Sequence, residues 1–237
     1  SLRMKVIFYI FFPMSFLIVL YTGERTALFN MLCVFLFFII FVTENKIFKL
    51  FTLFIISSIL FFLLTTSNSI SERIINHTFS SNQINISGEG RLKVFSSVHE
   101  QHYISAMKMF NDNQFFGIGP KMFREYCKKE EYFTKNACAT HPHNYYVQLL
   151  AETGIIGTLP LIILFLFTIY KYIMGIYLIG SKKYSLYIEN SLISLLPLSI
   201  FLFPFIPSSN FFNNWVSIYT YISIGIILYN YINFKKR

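Results

Sequence analysis

The chain has 237 residues, of which 54% are hydrophobic, 19% aromatic and only 13% charged. A soluble domain carries about a quarter charged residues, so this composition excludes an ordinary soluble protein. The formal net charge of +9 does not indicate a nucleic-acid partner, because the basic residues gather at the ends of apolar runs.

Apolar runs of the length needed to cross a bilayer, about 17–25 residues, recur along the chain. They predict an all-α integral membrane protein with about six transmembrane helices and a three-part organisation. Residues 1–66 carry three spans, 67–142 form an outer loop, and 143–237 carry three more spans. The predicted spans are 4–21, 26–43, 47–66, 155–178, 184–206 and 211–232. Prolines interrupt the fifth as a kink or a re-entrant end.

Four clusters of basic residues lie beside these spans, and with six spans all of them fall on one side. The positive-inside rule assigns that side to the cytoplasm. Both termini are therefore predicted to be cytoplasmic, and the loop 67–142 to lie outside. The clusters are Arg3 and Lys5, then Lys46 and Lys49, then Lys171, Lys182 and Lys183, and finally Lys235, Lys236 and Arg237.

Arg25 lies at the outer end of the first hairpin, in Thr22-Gly23-Glu24-Arg25-Thr26-Ala27. A guanidinium group there can hold a phosphate through two parallel hydrogen bonds. The alternatives are an ion pair with Glu24 and contact with lipid headgroups.

An amphipathic helix is predicted in the outer loop from Arg91 to Phe110, where apolar residues recur at helical spacing. Arg91 follows Gly88-Glu89-Gly90 at its start, where free N–H groups favour an anion; the alternative is a solvated surface arginine. Turn residues, including Gly117-Ile118-Gly119-Pro120, follow the helix. Cys127 and Cys138 lie beyond them and can pair in an oxidising compartment, although their spacing does not decide this.

All five histidines fall in the segment that is closed by Thr140-His141-Pro142-His143-Asn144-Tyr145-Tyr146. A neutral imidazole can accept a proton from a hydroxyl nucleophile near pH 7. Pro142 restricts the backbone, so we expect the two rings to point differently. Asn144 either caps the following helix or binds a sugar. The alternative for the histidines is a pair that only anchors this helix.

His99 and His102 share a helix face and, with Glu100 or His141, can provide zinc ligands. The spacing fixes no third ligand, so we favour ordinary helix residues and predict neither a metal nor a cofactor.

Several motifs together resemble the O-antigen ligase and polymerase family, which comprises bacterial envelope glycosyltransferases with many spans and one large periplasmic loop. They are Thr22–Ala27, Gly90-Arg91, Phe115–Pro120 and the block from His141 to Gly157. The resemblance covers nearly the whole chain, which begins at Ser1 and corresponds to the C-terminal portion of a typical member. The family's usual serine before the first arginine is Glu24 here, whose carboxylate can compete with a phosphate.

The resemblance implies a fold like that of GT-C-type glycosyltransferases, in the bacterial inner membrane with the active face periplasmic. It implies metal-independent transfer of a glycan from an undecaprenyl-diphosphate carrier. In such a site Arg25 and Arg91 would grip the diphosphate and His143 would be the base, with His141 as the second candidate. Asn144, Glu152, Gly117 and Gly119 would support the site.

Two activities fit the same residues. A ligase passes the glycan to a lipid A-core acceptor, and a polymerase passes it to another carrier-linked repeat unit; we favour the ligase. The partners are then the carrier-linked glycan, the acceptor and membrane lipid. A non-catalytic transporter is the alternative from another class. A transporter would have polar or charged residues within several spans and paired broken helices. It is disfavoured because the spans are nearly free of charge and the polar residues gather at one outer face.

Overall fold

The computed structural model describes residues 2–42, 49–50, 53–54, 56–58, 61, 65, 97–135 and 137–235. Among these residues all regular structure is helical, and no strand occurs. The chain divides into two compact units, Ser1–Val94 and Phe95–Arg237.

The first unit contains a helical hairpin. Helix α1 (Leu2–Thr22) and helix α2 (Arg25–Phe41) meet at Gly23, whose φ of 68° suits a glycine in a tight turn. Their contact buries mainly phenylalanine and leucine, with the largest side chains at Phe12, Phe16, Leu20 and Phe35. The two helices cover nearly all residues of the first two predicted spans, and their crossing of a membrane stays a prediction. The residues of the third predicted span that the structure describes are also helical.

The second unit begins with helix α3 (Ser97–Asp112) and the short helix α4 (Phe123–Tyr126). Helix α3 is the described part of the predicted amphipathic helix, and it ends where the turn residues begin. A disulfide joins Cys127 to Cys138. It borders a small apolar core that packs α3 and α4 on the next helix, made by Ala106, Met109, Phe123, Cys127, Tyr132 and Ala151.

Three apolar helices complete this unit: α5 (Tyr145–Gly180), α6 (Leu186–Phe201) and α7 (Asn214–Lys235). Their core contains Tyr145, Leu149, Leu161, Leu198, Leu202 and Val216. Within the described residues, two helices are long and apolar enough to span a membrane, Tyr145–Gly180 and Asn214–Asn233. Three shorter apolar helices, at Phe11–Thr22, Arg25–Phe41 and Leu186–Phe201, accompany them.

The fifth predicted span, 184–206, extends beyond the helix that the structure contains. Helix α6 ends at Phe201, and Pro204 and Pro207 follow in an irregular connection. Proline has no N–H to continue a helix, and it restricts the residue before it. The apolar composition continues past Phe201 although the helix does not.

Helix α5 is broken at Gly154, whose φ of 65° and ψ of −165° are not helical. The loop from Gln114 to Gly119 lies against this break. Its carbonyls at Gln114 and Phe115 accept hydrogen bonds from the N–H groups of Ile155 and Ile156 at 2.8 and 3.3 Å. The loop therefore pairs the groups that the break leaves without a helical partner.

The same loop also satisfies the other side of the break. The N–H groups of Ile118 and Gly119 donate to the carbonyls of Ala151 and Glu152, both at 2.9 Å. Gly117 has a φ of 66°, and a Cβ added there would overlap the backbone of Glu152 and Thr153. Gly117 is therefore needed for this close approach.

Candidate functional site

The site is built at the start of helix α5, where Asn144 is the N-cap. Its Oδ1 accepts hydrogen bonds from the N–H groups of Tyr146 and Val147 at 3.0 and 3.2 Å. Its Nδ2 donates to the carbonyl oxygen of Pro204 at 2.7 Å. Of the two roles predicted for Asn144, the structure contains the cap.

His143 immediately precedes this cap and has a φ of 59°. A left-handed backbone is uncommon for a residue other than glycine, although histidine tolerates it better than most. Such conformations persist only where the surroundings impose them, and they cluster at functional sites. Here the buried Pro142 precedes His143, and the carbonyl oxygen of His143 accepts a hydrogen bond from the N–H of Ser208 at 2.9 Å.

Four of the five histidines form one cluster. The rings of His141 and His143 are tilted by 46°, but their centroids are only 4.1 Å apart, so the two side chains meet. His99 and His102, on α3, each place a ring centroid 5.4 Å from that of His143. The second to fifth histidines of the chain therefore converge on one point, and the first, His77, lies outside the described residues.

His141 is buried and held at both ring nitrogens. Its Nε2 lies 3.3 Å from the carbonyl oxygen of Ser208, and its Nδ1 lies 2.9 Å from Oγ1 of Thr140. A carbonyl oxygen only accepts, so Nε2 carries the proton and Nδ1 accepts from the Thr140 hydroxyl. Burial, and then the neighbouring His143, lower the pKa of His141 below its usual 6.5, and the Ser208 carbonyl partly opposes this.

His143 is only partly buried, and burial lowers its pKa below the usual 6.5. It is therefore neutral at pH 7, which is the form that accepts a proton. Because His141 uses both nitrogens in hydrogen bonds, His143 is the better placed of the two for proton transfer.

Gln148 and Glu152 form a buried polar pair about one and two turns into α5, and both are fully inaccessible to solvent. Glu152 Oε1 accepts a hydrogen bond from the N–H of Phe123 at 2.9 Å, and Oε2 accepts from Nε2 of Gln148 at 2.9 Å. The predicted supporting residue Glu152 thus ties α4 to α5. The sequence did not predict a role for Gln148, and the only signal for one was a glutamine within an apolar run.

Arg25 is exposed at the first turn of α2, in the first of the two units, whereas the histidines belong to the second. Arg91 lies outside the described residues. The joint action of these arginines with His143 therefore stays a prediction. Among the residues that the structure describes, no group of three or more His, Cys, Asp or Glu side chains has the arrangement of a metal site.

Comparison with known families identifies one match. The O-antigen ligase family matches residues 10–162, which is more than half of the chain. The matched stretch contains Arg25, the Gly117–Gly119 loop, the histidine block and the break at Gly154, and it ends within α5. No curated protein matches the chain, and no solved structure matches it either.

Proposed function

Because the chain belongs to the O-antigen ligase family, we propose that it is a membrane glycosyltransferase of the ligase type. It transfers a glycan from an undecaprenyl-diphosphate carrier to a lipid A-core acceptor. Family membership and two membrane-length helices indicate a membrane glycosyltransferase. The choice of substrates and of individual catalytic residues is our proposal. The observation that carries it is the convergence of three other imidazole rings on His143.

In this proposal His143 removes the proton from the acceptor hydroxyl as its oxygen attacks the anomeric carbon of the donor sugar. The bond from that carbon to the diphosphate oxygen breaks, and the electron pair leaves with the carrier diphosphate. The reaction proceeds with inversion at the anomeric carbon. Arg25 and Arg91 bind the diphosphate and stabilise the charge that develops on it. A diphosphate is a good leaving group, so two cations and one base suffice.

The disulfide supports a periplasmic position for this site. Disulfides persist in the bacterial periplasm and are rare in the cytosol. Cys127 and Cys138 lie in the same unit as the histidine cluster, and Cys127 is part of the core beneath α3. In this proposal the protein is a multi-pass protein of the bacterial inner membrane, with the histidine block on its outer side.

The variant His143→Asn tests the assignment of His143 as the base. It is expressed in host cells, and the readout is the ladder of surface glycans. Asparagine removes the proton acceptor and tolerates the left-handed backbone of this position. We expect the ladders to disappear while the amount of protein in membranes is unchanged. Lys182→Asn is the matched control, since Lys182 is exposed and has a φ of 58°. Normal ladders in the His143 variant would overturn the assignment.

The glycans that accumulate in cells with an inactive variant distinguish a ligase from a polymerase. Loss of a ligase leaves long glycans on the carrier, whereas loss of a polymerase leaves single repeats on the lipid A-core acceptor. Arg25→Ala and Arg91→Ala should give the same product as His143→Asn.

A further inference from the structure

The connection between α6 and α7, residues 202–213, lies beyond the stretch that the family matches, yet it holds the histidine block at many points. Five hydrogen bonds join the connection to residues 141–146. They run from Ser208 N to His143 O, from His141 Nε2 to Ser208 O, from Asn144 Nδ2 to Pro204 O, from Tyr146 OH to Leu202 O, and between Tyr145 OH and Ser209 Oγ.

Gln148 provides a further link from α5 to the same connection. Its Nε2 donates to Oδ1 of Asn210 at 3.0 Å, and its Oε1 accepts from the N–H of Phe211 at 2.9 Å. The second partner of Nε2 is Glu152. The side chain of Gln148, which makes two hydrogen bonds with the connection, is fully buried.

Phe211 and Glu152 together determine which way the Gln148 amide faces. The backbone N–H of Phe211 can only donate, so it requires the oxygen of the amide, and Glu152 accepts from the nitrogen. The two requirements agree, and one orientation of the amide satisfies Glu152, Asn210 and Phe211 together. A buried polar network that is satisfied in this way specifies a single arrangement.

We infer that Gln148 is a positioning residue, which holds the connection 202–213 so that Ser208 fixes the tautomer of His141 and the backbone of His143. The inference rests on the proposed function for its catalytic consequence. Ser208 acts through its main chain. Its carbonyl oxygen accepts a hydrogen bond from Nε2–H of His141, and its N–H donates to the carbonyl oxygen of His143. A displaced connection loses both contacts together.

The inference is tested with Gln148→Met, which keeps the length of the side chain and removes its three hydrogen bonds. The readout is the ¹⁵N spectrum of histidine-labelled purified protein at pH 8, with the His141 signals assigned from His141→Asn. We expect one Nε2–H tautomer in the wild type and a mixture in the variant. Thr168→Val is the control, since Thr168 is buried and its hydroxyl bonds only within α5; it should keep one tautomer.

Asn210→Ala removes the link from the other side and should also give a mixture, which keeps the test decisive if Gln148→Met does not fold. The double variant Gln148→Glu with Glu152→Gln restores a bond between these two side chains but places a carboxylate opposite Oδ1 of Asn210. It should therefore stay mixed. A single tautomer in Gln148→Met and Asn210→Ala, or in the double variant, would overturn the inference.

Transfer of glycan is measured on the same variants. A displacement of about 1 Å at a catalytic group can cost about 10²-fold in rate, and we expect a loss of this order in Gln148→Met with protein levels unchanged. A mixed tautomer together with full transfer would refute the catalytic consequence. Transfer that survives His143→Asn, with the tautomer still dependent on Gln148, would refute the proposed role of His143 as the base and leave the positioning role intact.

Discussion

At the scale of single residues, the surroundings of His141 and His143 favour neutral rings. Burial lowers the pKa of both histidines, and the centroids of the two rings lie 4.1 Å apart, so a proton on one would repel a proton on the other. Because His141 uses both ring nitrogens in hydrogen bonds, we propose that it has a supporting role and that the less buried His143 is the base. The pKa shifts alone do not separate the two histidines, whereas their hydrogen bonds do.

The lowered pKa of His143 predicts how transfer depends on pH. A base must be neutral, and a pKa below 6.5 keeps it so at pH 7. The rate should therefore level off toward pH 8 and fall at lower pH with a midpoint below 6.5, where the ring gains a proton. It is measured in membranes that contain the carrier-linked glycan, with a return to pH 7.5 to exclude irreversible unfolding. Half-maximal transfer at or above pH 6.5 would contradict the assignment of His143.

At the scale of elements, the break in α5 explains why three glycine positions accompany the histidine block. Gly154 lets the chain leave the helix, and Gly117 lets the loop approach the break closely. Gly119, with a φ of 106°, donates its N–H to Glu152, so the loop also holds the turn that carries the Glu152 carboxylate. Because Glu152 also accepts a hydrogen bond from the N–H of Phe123, the turn before the break is joined to the core beneath α3.

Replacement of Gly154 by alanine should destabilise the protein strongly. A Cβ there would overlap the backbone of Phe115 and lie 2.6 Å from the carbonyl oxygen of Gln114. The φ and ψ of this residue are adopted almost only by glycine, and the strain alone costs about 1–3 kcal/mol. We expect a lower midpoint of thermal unfolding in detergent.

Gly225→Ala is the matched control, because it lies within α7 and a Cβ there meets nothing within 4 Å. Alanine in a helix interior stabilises by about 0.5–1 kcal/mol over glycine. Equal midpoints for Gly154→Ala and the wild type would show that the break is not required.

The parts of the site that the sequence predicts are those with local signals. Asn144 stands before an apolar run at the position of a cap, and the turn residues after Asp112 end α3. The meeting of His99 and His102 with His143 depends on the packing of α3 against α5, which leaves no mark in either segment. The role of Gln148 is hidden for the same reason, since its partners Asn210 and Phe211 lie in a distant connection.

At the scale of the whole molecule, the proposed reaction requires both compact units. The family match begins in α1 and ends in α5, so it includes parts of both. Arg25 belongs to the first unit and the histidine cluster to the second. We expect Arg25→Ala to lose transfer while the amount of protein in membranes is unchanged, and normal transfer in this variant would contradict the proposed role of Arg25.

The disulfide provides a test of where the outer loop lies in the cell. The loop that it closes, with a sequence separation of 11 residues, gives about 3 kcal/mol of stabilisation by the chain-entropy estimate. If the loop is periplasmic, Cys127 and Cys138 should be oxidised in the cell, while Cys33 stays a thiol. Denatured protein should then react with one maleimide before reduction and with three after it. Cys33→Ala, as the control, should lower these numbers to none and two. Three reactive thiols before reduction would place the loop in a reducing compartment and contradict the proposed topology.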